Sequence, residues 1–103
     1  MIIVNSKNNV PIRLTVERWT HIVNRHPEME GQKERVLEAI TNPEVIQEGD
    51  FGEFLAVKYY TSTPLASKFL VTIYKEVSDS DGFVVTAYFT NRLSERRKTL
   101  WKR

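Results

Sequence analysis

The sequence predicts an α+β domain in which two N-terminal helices pack on one face of a four-stranded antiparallel sheet. Apolar residues recur at helical spacing over residues 16–41, and the chain then changes to runs rich in β-branched and aromatic residues. Strands that follow helices, rather than alternating with them, favour antiparallel pairing over a parallel α/β sheet. With 103 residues, 41% of them apolar, the chain can form one core, and we treat residues 1–103 as a single domain.

Two helices are expected in the first half of the chain. Thr15 is a suitable N-cap for a helix from about Val16 to His26, and Pro27 disfavours helical geometry at the residue before it. A second helix fits residues 29–41, which carry an apolar stripe at helical spacing. The Asn42–Pro43 pair should end it.

The second half predicts strands joined by turns. The sequence SDSDG at residues 78–82 is a strong turn signal, and we expect it to join two antiparallel strands as a hairpin. The segment MIIV at residues 1–4 can form a short edge strand. The predicted strands of the sheet are 53–60, 67–77 and 82–91, with a further short one within 44–52.

The composition excludes several classes of protein. The absence of cysteine excludes a disulfide framework, a thiol nucleophile and a cysteine-ligated metal, and it fits a cytoplasmic location. Because no apolar run approaches the roughly 18 residues of a membrane span, we expect no membrane partner. The start MIIVNSKNNVP has no basic lead-in and no cleavage site, so we expect no signal peptide.

The net charge of +2 is unevenly distributed. Residues 92–103 carry six of the fifteen Lys and Arg residues and only one acidic residue, whereas the rest of the chain is mildly acidic. This basic C-terminal tail can contact a polyanion, or it can serve only for solubility.

Both histidines belong to the first predicted helix, but they lie on different sides of it. In a helical projection His26 falls with the apolar stripe, whereas His21 falls on the opposite side with Arg18 and Arg25. His26 is then either a helix-ending histidine held by a hydrogen bond or an acid–base residue. The basic stripe is either a solvated face or a substrate contact. The i,i+5 spacing of the histidines does not fit a helical zinc pair, so we expect no metal.

The last predicted strand has a polar face, which its neighbours can extend into a platform. Hydroxyl, aromatic and basic side chains alternate in phase along three strands, and such groups bind phosphate oxygens and stack on bases. The alternative is the polar outer face of an ordinary sheet, where Thr and Tyr are favoured by propensity. The candidate platform residues are Thr86, Tyr88, Arg92, Lys58, Lys68 and Tyr74.

Three segments in this order, RWTHIVNRHPEM, NPEVI and VVTAYFT, resemble the phage- and bacterium-associated nuclease domains of the barnase–EndoU–colicin–RelE-like superfamily. The match spans about residues 14–91. The resemblance implies two helices before a four-stranded antiparallel sheet, and a metal-independent ribonuclease without a cofactor, often a toxin or effector. The matching positions are Trp19, His21, Ile22, His26, Pro27, Glu28, Asn42, Pro43, Ile46, Thr86, Ala87 and Tyr88.

The chemistry that the resemblance implies is RNA cleavage by attack of a 2′-OH on the adjacent phosphorus. His26 and His21 would transfer protons or contact phosphate, with acid and base not distinguished. Thr86 and Tyr88 would bind phosphate or orient the nucleophile. The expected substrate-binding residues are Arg92, Lys58, Lys68, Arg18, Arg25 and Tyr74.

Two alternatives remain open. The same residues can form an RNA-binding module that does not cut its ligand. They can also belong to an inactive toxin-like protein that is held by a protein inhibitor, an antitoxin.

Overall fold

The protein has a mixed, seven-stranded sheet with two α-helices in the part of the chain that the computed structural model describes, residues 1–66 and 68–103. The predicted α+β class holds, but the predicted four-stranded antiparallel sheet is wrong. Residue 67, the first of the predicted strand 67–77, lies outside the described residues. The strands are β1 (Ile2–Asn5), β2 (Pro11–Leu14), β3 (Val45–Glu48), β4 (Phe54–Tyr59), β5 (Phe69–Ser78), β6 (Asp81–Thr90) and β7 (Thr99–Lys102), and the helices are α1 (Val16–Arg25) and α2 (Lys33–Thr41).

The strands are ordered β1-β2-β6-β5-β4-β3-β7, and every neighbouring pair is antiparallel except β2 with β6. The parallel pair places Ile12 beside Gly82, where a Cβ atom would lie 2.6 Å from Ile12 Cδ1 and 2.5 Å from the Lys75 carbonyl oxygen. Only glycine fits such a close approach of three strands. Arg13 fastens the same corner, since its guanidinium donates to both carboxylate oxygens of Asp81 at 2.8 and 3.1 Å and keeps the pKa of that carboxyl below its usual value.

Both predicted helices form, with one shift in their boundaries. The Thr15 hydroxyl accepts a hydrogen bond from the Arg18 N–H at 3.1 Å, which is the expected N-cap, and α1 ends where Pro27 follows His26. The segment Pro27–Met29 is a separate turn of 3₁₀ helix, so α2 begins at Lys33 rather than at residue 29. None of the helices in the described part of the chain is long and apolar enough to span a membrane.

The main core lies between the helices and one face of the sheet. Ile22 of α1 and Ile40 of α2 are fully buried against sheet residues such as Leu70 and Ala87. Thr72 of β5 is also fully buried, and its hydroxyl donates to the Val36 carbonyl of α2 at 3.2 Å. Helix α2 is therefore held to the centre of the sheet by both apolar packing and a buried hydrogen bond.

The opposite sheet face is covered in part by the segment predicted to be a basic tail. Residues 91–98, here called the basic strap, cross this face and lead into β7, which pairs with β3 at the sheet edge. Leu93 of the strap packs on a second apolar cluster formed by Leu55, Val57 and Val71. Residues 92–103 are thus a structural part of the domain.

The sheet is curled, since the turn that joins β1 and β2 at one edge reaches strand β7 at the other edge. Lys7, in the turn between β1 and β2, places its Nζ atom 5.0 Å from the ring centre of Trp101 in β7. The same turn reaches β5, where Ser6 and Asn8 donate hydrogen bonds to the Glu76 carboxylate at 2.6 and 3.1 Å. These contacts join strands that the linear order places far apart.

Two strands that were not expected, β2 and β7, explain the wrong sheet prediction, whereas the short edge strand expected at residues 1–4 forms as β1. Strand β2 has only four residues, begins with a proline and runs directly into the helix cap, so its alternation is too short to predict a strand. Strand β7, with the sequence TLWK, lies within a run of basic residues that is typical of a solvated tail. Strand β7 pairs with β3, and β2 pairs with β6 as well as with its neighbour β1. Partners that are distant in the chain are not reported by a local pattern.

Candidate functional site

His26 lies at the C-terminal end of α1, where its backbone N–H donates to the Ile22 carbonyl at 2.8 Å. Its imidazole is 34% exposed and lies beside β6. The centres of the His26 and Tyr88 rings are 6.0 Å apart. Strand β2 pairs with β6 only as far as Phe83, so the rest of that edge of β6 has no strand partner among the residues that the structure describes. Helix α1 lies along this part of β6, and helix and sheet therefore meet here. Arg18 of α1 donates to the Val85 carbonyl on that edge at 3.3 Å.

A carboxylate stands beside the imidazole. Glu28 Oε2 lies 3.7 Å from His26 Nδ1, and the Glu28 side chain is only 17% exposed. The short 3₁₀ helix after Pro27 turns the chain so that residue 28 faces back toward residue 26. A carboxylate next to one imidazole nitrogen is a common means of orienting a histidine.

Tyr88 belongs to the strap-covered face of the sheet. It lies opposite Val71 on β5, and Thr86 shares its face two residues earlier, opposite Ile73. A bulge near Val85 shifts the register of β6, which is why Val84 lies in the main core although its phase predicts the polar face.

The electrostatics of Tyr88 keep its proton in place at neutral pH. Burial raises the pKa of the phenol, and the nearby positive charge of Arg97 opposes part of that rise. Tyr88 can therefore donate a hydrogen bond to an anion at neutral pH.

An open cleft of about 590 Å³ lies between the basic strap and the turn after β3, and we call it the basic cleft. Four cationic side chains and two carboxylates line it together with Tyr88, so it is net positive and contains an aromatic hydroxyl. Such a combination can bind the phosphates of a nucleic acid. The residues that line it are Glu48, Gly49, Asp50, Tyr88, Arg92, Ser94, Arg96, Arg97 and Lys98.

The strap is held in place by hydrogen bonds at both ends. Arg97 Nη1 donates to the Glu48 carbonyl at 3.1 Å and to Asp50 Oδ1 at 3.0 Å. Gln47 Nε2 donates to the Ser94 carbonyl at 2.9 Å, and the Thr90 hydroxyl donates to the Arg92 carbonyl at 3.0 Å. The cations of the cleft are therefore carried by an anchored segment.

The structure brings together some of the predicted site residues. His26 and Tyr88 are in contact, Arg92 lines the same cleft, and Thr86 shares the face of Tyr88. Arg18 is bound to the edge of β6 through the Val85 carbonyl. His21 and Arg25 are exposed on α1 and do not line the cleft. His26 does not line it either, but it adjoins the cleft through its ring contact with Tyr88.

The other predicted residues lie elsewhere. Tyr74 is fully buried in the main core and stacks on Phe54, with ring centres 5.4 Å apart. Lys58 is buried on the same side of the sheet, and its Nζ atom donates to the Asn42 carbonyl at 2.8 Å. Lys68 is exposed at the start of β5, outside the lining of the cleft. The predicted platform of three aligned strands does not form, because Tyr74 and Lys58 lie on the helix side of the sheet whereas Thr86 and Tyr88 lie on the opposite face.

Residues that the sequence analysis did not select complete the cleft. Arg96, Arg97 and Lys98 were visible only as part of a charge run, and that run also fits a solvated tail. Glu28 was among the positions that match the resembled family, but no role was assigned to it. Within the described residues no three His, Asp or Glu side chains come together as a candidate metal site.

No family model, no curated protein and no solved structure matches this chain.

Proposed function

We propose that the protein cleaves RNA without a metal ion, with His26 as the acid–base residue and the basic cleft as the phosphate-binding surface. The observation that carries this proposal is the contact between the His26 and Tyr88 rings. It joins the one partly buried histidine to a cleft that holds Arg92, Arg96 and Arg97. A proton-transfer group beside several cations is the minimum that phosphodiester cleavage requires.

In the proposed reaction His26 accepts the proton of a 2′-OH, and the 2′-oxygen attacks the adjacent phosphorus. The 5′-oxygen leaves with a proton, and the product ends in a 2′,3′-cyclic phosphate. Tyr88 keeps its proton at neutral pH, so it can donate to a phosphate oxygen or to the leaving oxygen. The arginines stabilise the negative charge that grows on phosphorus-bound oxygens. DNA has no 2′-OH and should not be cut.

The first test is cleavage of a structured RNA mixture by the purified protein in the presence of EDTA. His26→Ala should lower the cleavage rate roughly 10²–10⁴-fold, the usual cost of removing an acid or base. Asn24→Ala is the matched control, since Asn24 is an exposed residue of the same helix. A folded His26→Ala protein that cleaves at the wild-type rate would rule out this role.

A substitution of His21 distinguishes a site with one catalytic histidine from a site with two. The resemblance implies two histidines in catalysis, whereas the geometry supports one, because His21 is exposed on α1. If His26 acts alone, His21→Ala should reduce cleavage far less than His26→Ala does. Equal losses from both variants would instead favour a two-histidine site.

The second candidate is RNA binding without cleavage. One observation favours it: neither histidine is among the residues that line the basic cleft, and His26 adjoins it only through its contact with Tyr88. Binding that leaves the RNA intact, with a log–log salt slope of roughly −0.7 per phosphate contact, would support this function over the enzyme. The cationic cleft would also suit an acidic protein inhibitor. An added acidic protein that displaces bound RNA would be identified as such an inhibitor.

A further inference from the structure

The turn between β3 and β4 presents an aromatic ring to solvent at the border of the basic cleft. Phe51 is 80% exposed, more than any other large apolar side chain in the described part of the chain. Its neighbours Glu48, Gly49 and Asp50 form one wall of the cleft. A single exposed apolar residue is not unusual on a protein surface, so its setting decides its significance.

The turn that carries Phe51 is closed by its own hydrogen bonds. Glu53 closes it from within: its carbonyl accepts the Gly49 N–H at 2.8 Å, and its carboxylate accepts the Phe51 N–H at 2.6 Å. Gly49 is needed for this closure, because a Cβ atom there would lie 2.7 Å from Glu53 Oε1. Gly52 supplies the left-handed conformation, with φ of 84°. Phe51 is therefore exposed on an ordered turn.

The same turn is bonded to the cationic strap. Arg97 donates to Glu48 and Asp50, and the Glu48 N–H donates to the Lys98 carbonyl at 2.9 Å. These bonds hold the turn, and with it the backbone of Phe51, next to the cationic strap. A surface that places an exposed aromatic ring beside anchored cations matches the way proteins bind unpaired nucleic acid, with phosphates on the cations and a base stacked on the ring.

We propose that the basic cleft takes unpaired RNA and that Phe51 stacks on one of its bases. The substrate class follows from the ring. In a duplex both faces of each base are covered by neighbouring bases, so an aromatic side chain can stack only on an unpaired base. This inference rests on the proposed function for its choice of RNA, and it adds the strand state of the substrate and the residue that selects it.

The test measures binding and not cleavage. A short fluorescein-labelled 2′-O-methyl oligoribonucleotide lacks the attacking hydroxyl, so it cannot be cut by the proposed route, and its anisotropy reports binding. The same strand annealed to its complement is the duplex probe. Phe51→Ala should weaken binding of the unpaired strand roughly 5- to 150-fold, the range of base–aromatic stacking. Phe51→Trp should retain it.

Val16→Ala is the control, because Val16 is also a highly exposed apolar residue but lies on α1 outside the cleft lining. Unchanged binding by Phe51→Ala would overturn the assignment of the ring. Equal affinity for the duplex, or no binding of either probe, would overturn the substrate class. Phe51-dependent binding in a protein that cuts no RNA would contradict the proposed catalysis and leave this inference standing.

Discussion

Individual side chains in this protein show how strongly the tertiary setting changes the meaning of a residue. Lys58 and Arg97 are both basic residues near the sheet, but Lys58 is buried and donates to a backbone carbonyl, whereas Arg97 lines the basic cleft. His26 and His21 differ in the same way, since only His26 contacts Tyr88. At this scale the candidate site consists of the residues that combine charge with access to one cleft.

Arg97 should control the ionisation of Tyr88. Its positive charge favours the phenolate and lowers the pKa of Tyr88, although burial raises that pKa overall. In Arg97→Gln the pKa of Tyr88 should therefore rise further above its ordinary value. The measurement is a tyrosine NMR titration of the folded protein, with Tyr88→Phe used to assign the signal. Arg103→Gln removes an exposed arginine of the β7 end as a control, and an unchanged Tyr88 titration in Arg97→Gln would contradict the prediction.

At the scale of elements, the basic strap has two roles that share the same residues. It covers the second apolar cluster through Leu93, and it carries the arginines of the cleft. The hydrogen bonds from Gln47 and Arg97 hold it across the sheet face. The cleft should therefore lose its geometry when the strap loses its apolar anchor.

Leu93→Ala tests this coupling. Leu93 is partly buried against Leu55, Val57 and Val71, so the substitution should lower the free energy of unfolding by about 1–2 kcal/mol. It should also weaken RNA binding, because the strap arginines would be less well held. Leu65→Ala, at a well-exposed leucine outside this cluster, should change stability by less than about 0.5 kcal/mol. Urea unfolding and oligoribonucleotide anisotropy measure the two effects, and an unaltered Leu93→Ala protein would refute the coupling.

The whole molecule is a curled sheet filled by two helices, and buried tyrosines are part of its core. Tyr74 is fully buried on Phe54, and Tyr60 packs against the core while its hydroxyl donates to Glu38. Burial is the main reason that the pKa of each phenol lies well above its ordinary value. In the folded state both groups therefore stay protonated at a pH where the unfolded chain ionises.

This difference sets the response of the fold to alkaline pH. Above about pH 10 the unfolded tyrosines lose protons that the folded ones retain, so the unfolded state binds fewer protons and stability falls as pH rises. Below that pH the contribution of both groups is fully present. Tyr74→Phe keeps the ring but removes the hydroxyl, so its free energy of unfolding should fall less steeply between about pH 8 and about pH 11. Urea unfolding at several pH values gives both slopes, and identical slopes would count against this assignment.

The sequence by itself determined the features that depend on neighbouring residues. The N-cap at Thr15, the end of α1 before Pro27 and the hairpin turn near residues 78–82 were all predicted, because capping bonds and turn preferences act within a few positions of the chain. The absence of cysteine likewise bounded the chemistry. The contact between the end of α1 and the last long strand was not predictable from these signals.

Tertiary structure alone decided which face of each strand is buried and where the basic strap lies. Both faces of the central strands carry apolar residues, one face for the helices and one for Leu93, so alternation does not reveal which set points inward. For that reason the sequence did not predict that Tyr74 and Lys58 lie on the helix side of the sheet. Strand β2 pairs with distant β6 as well as with β1, β7 pairs with distant β3, and the strap before β7 brings Arg97 back to Tyr88. The site depends on these non-local contacts, which no local pattern in the chain encodes.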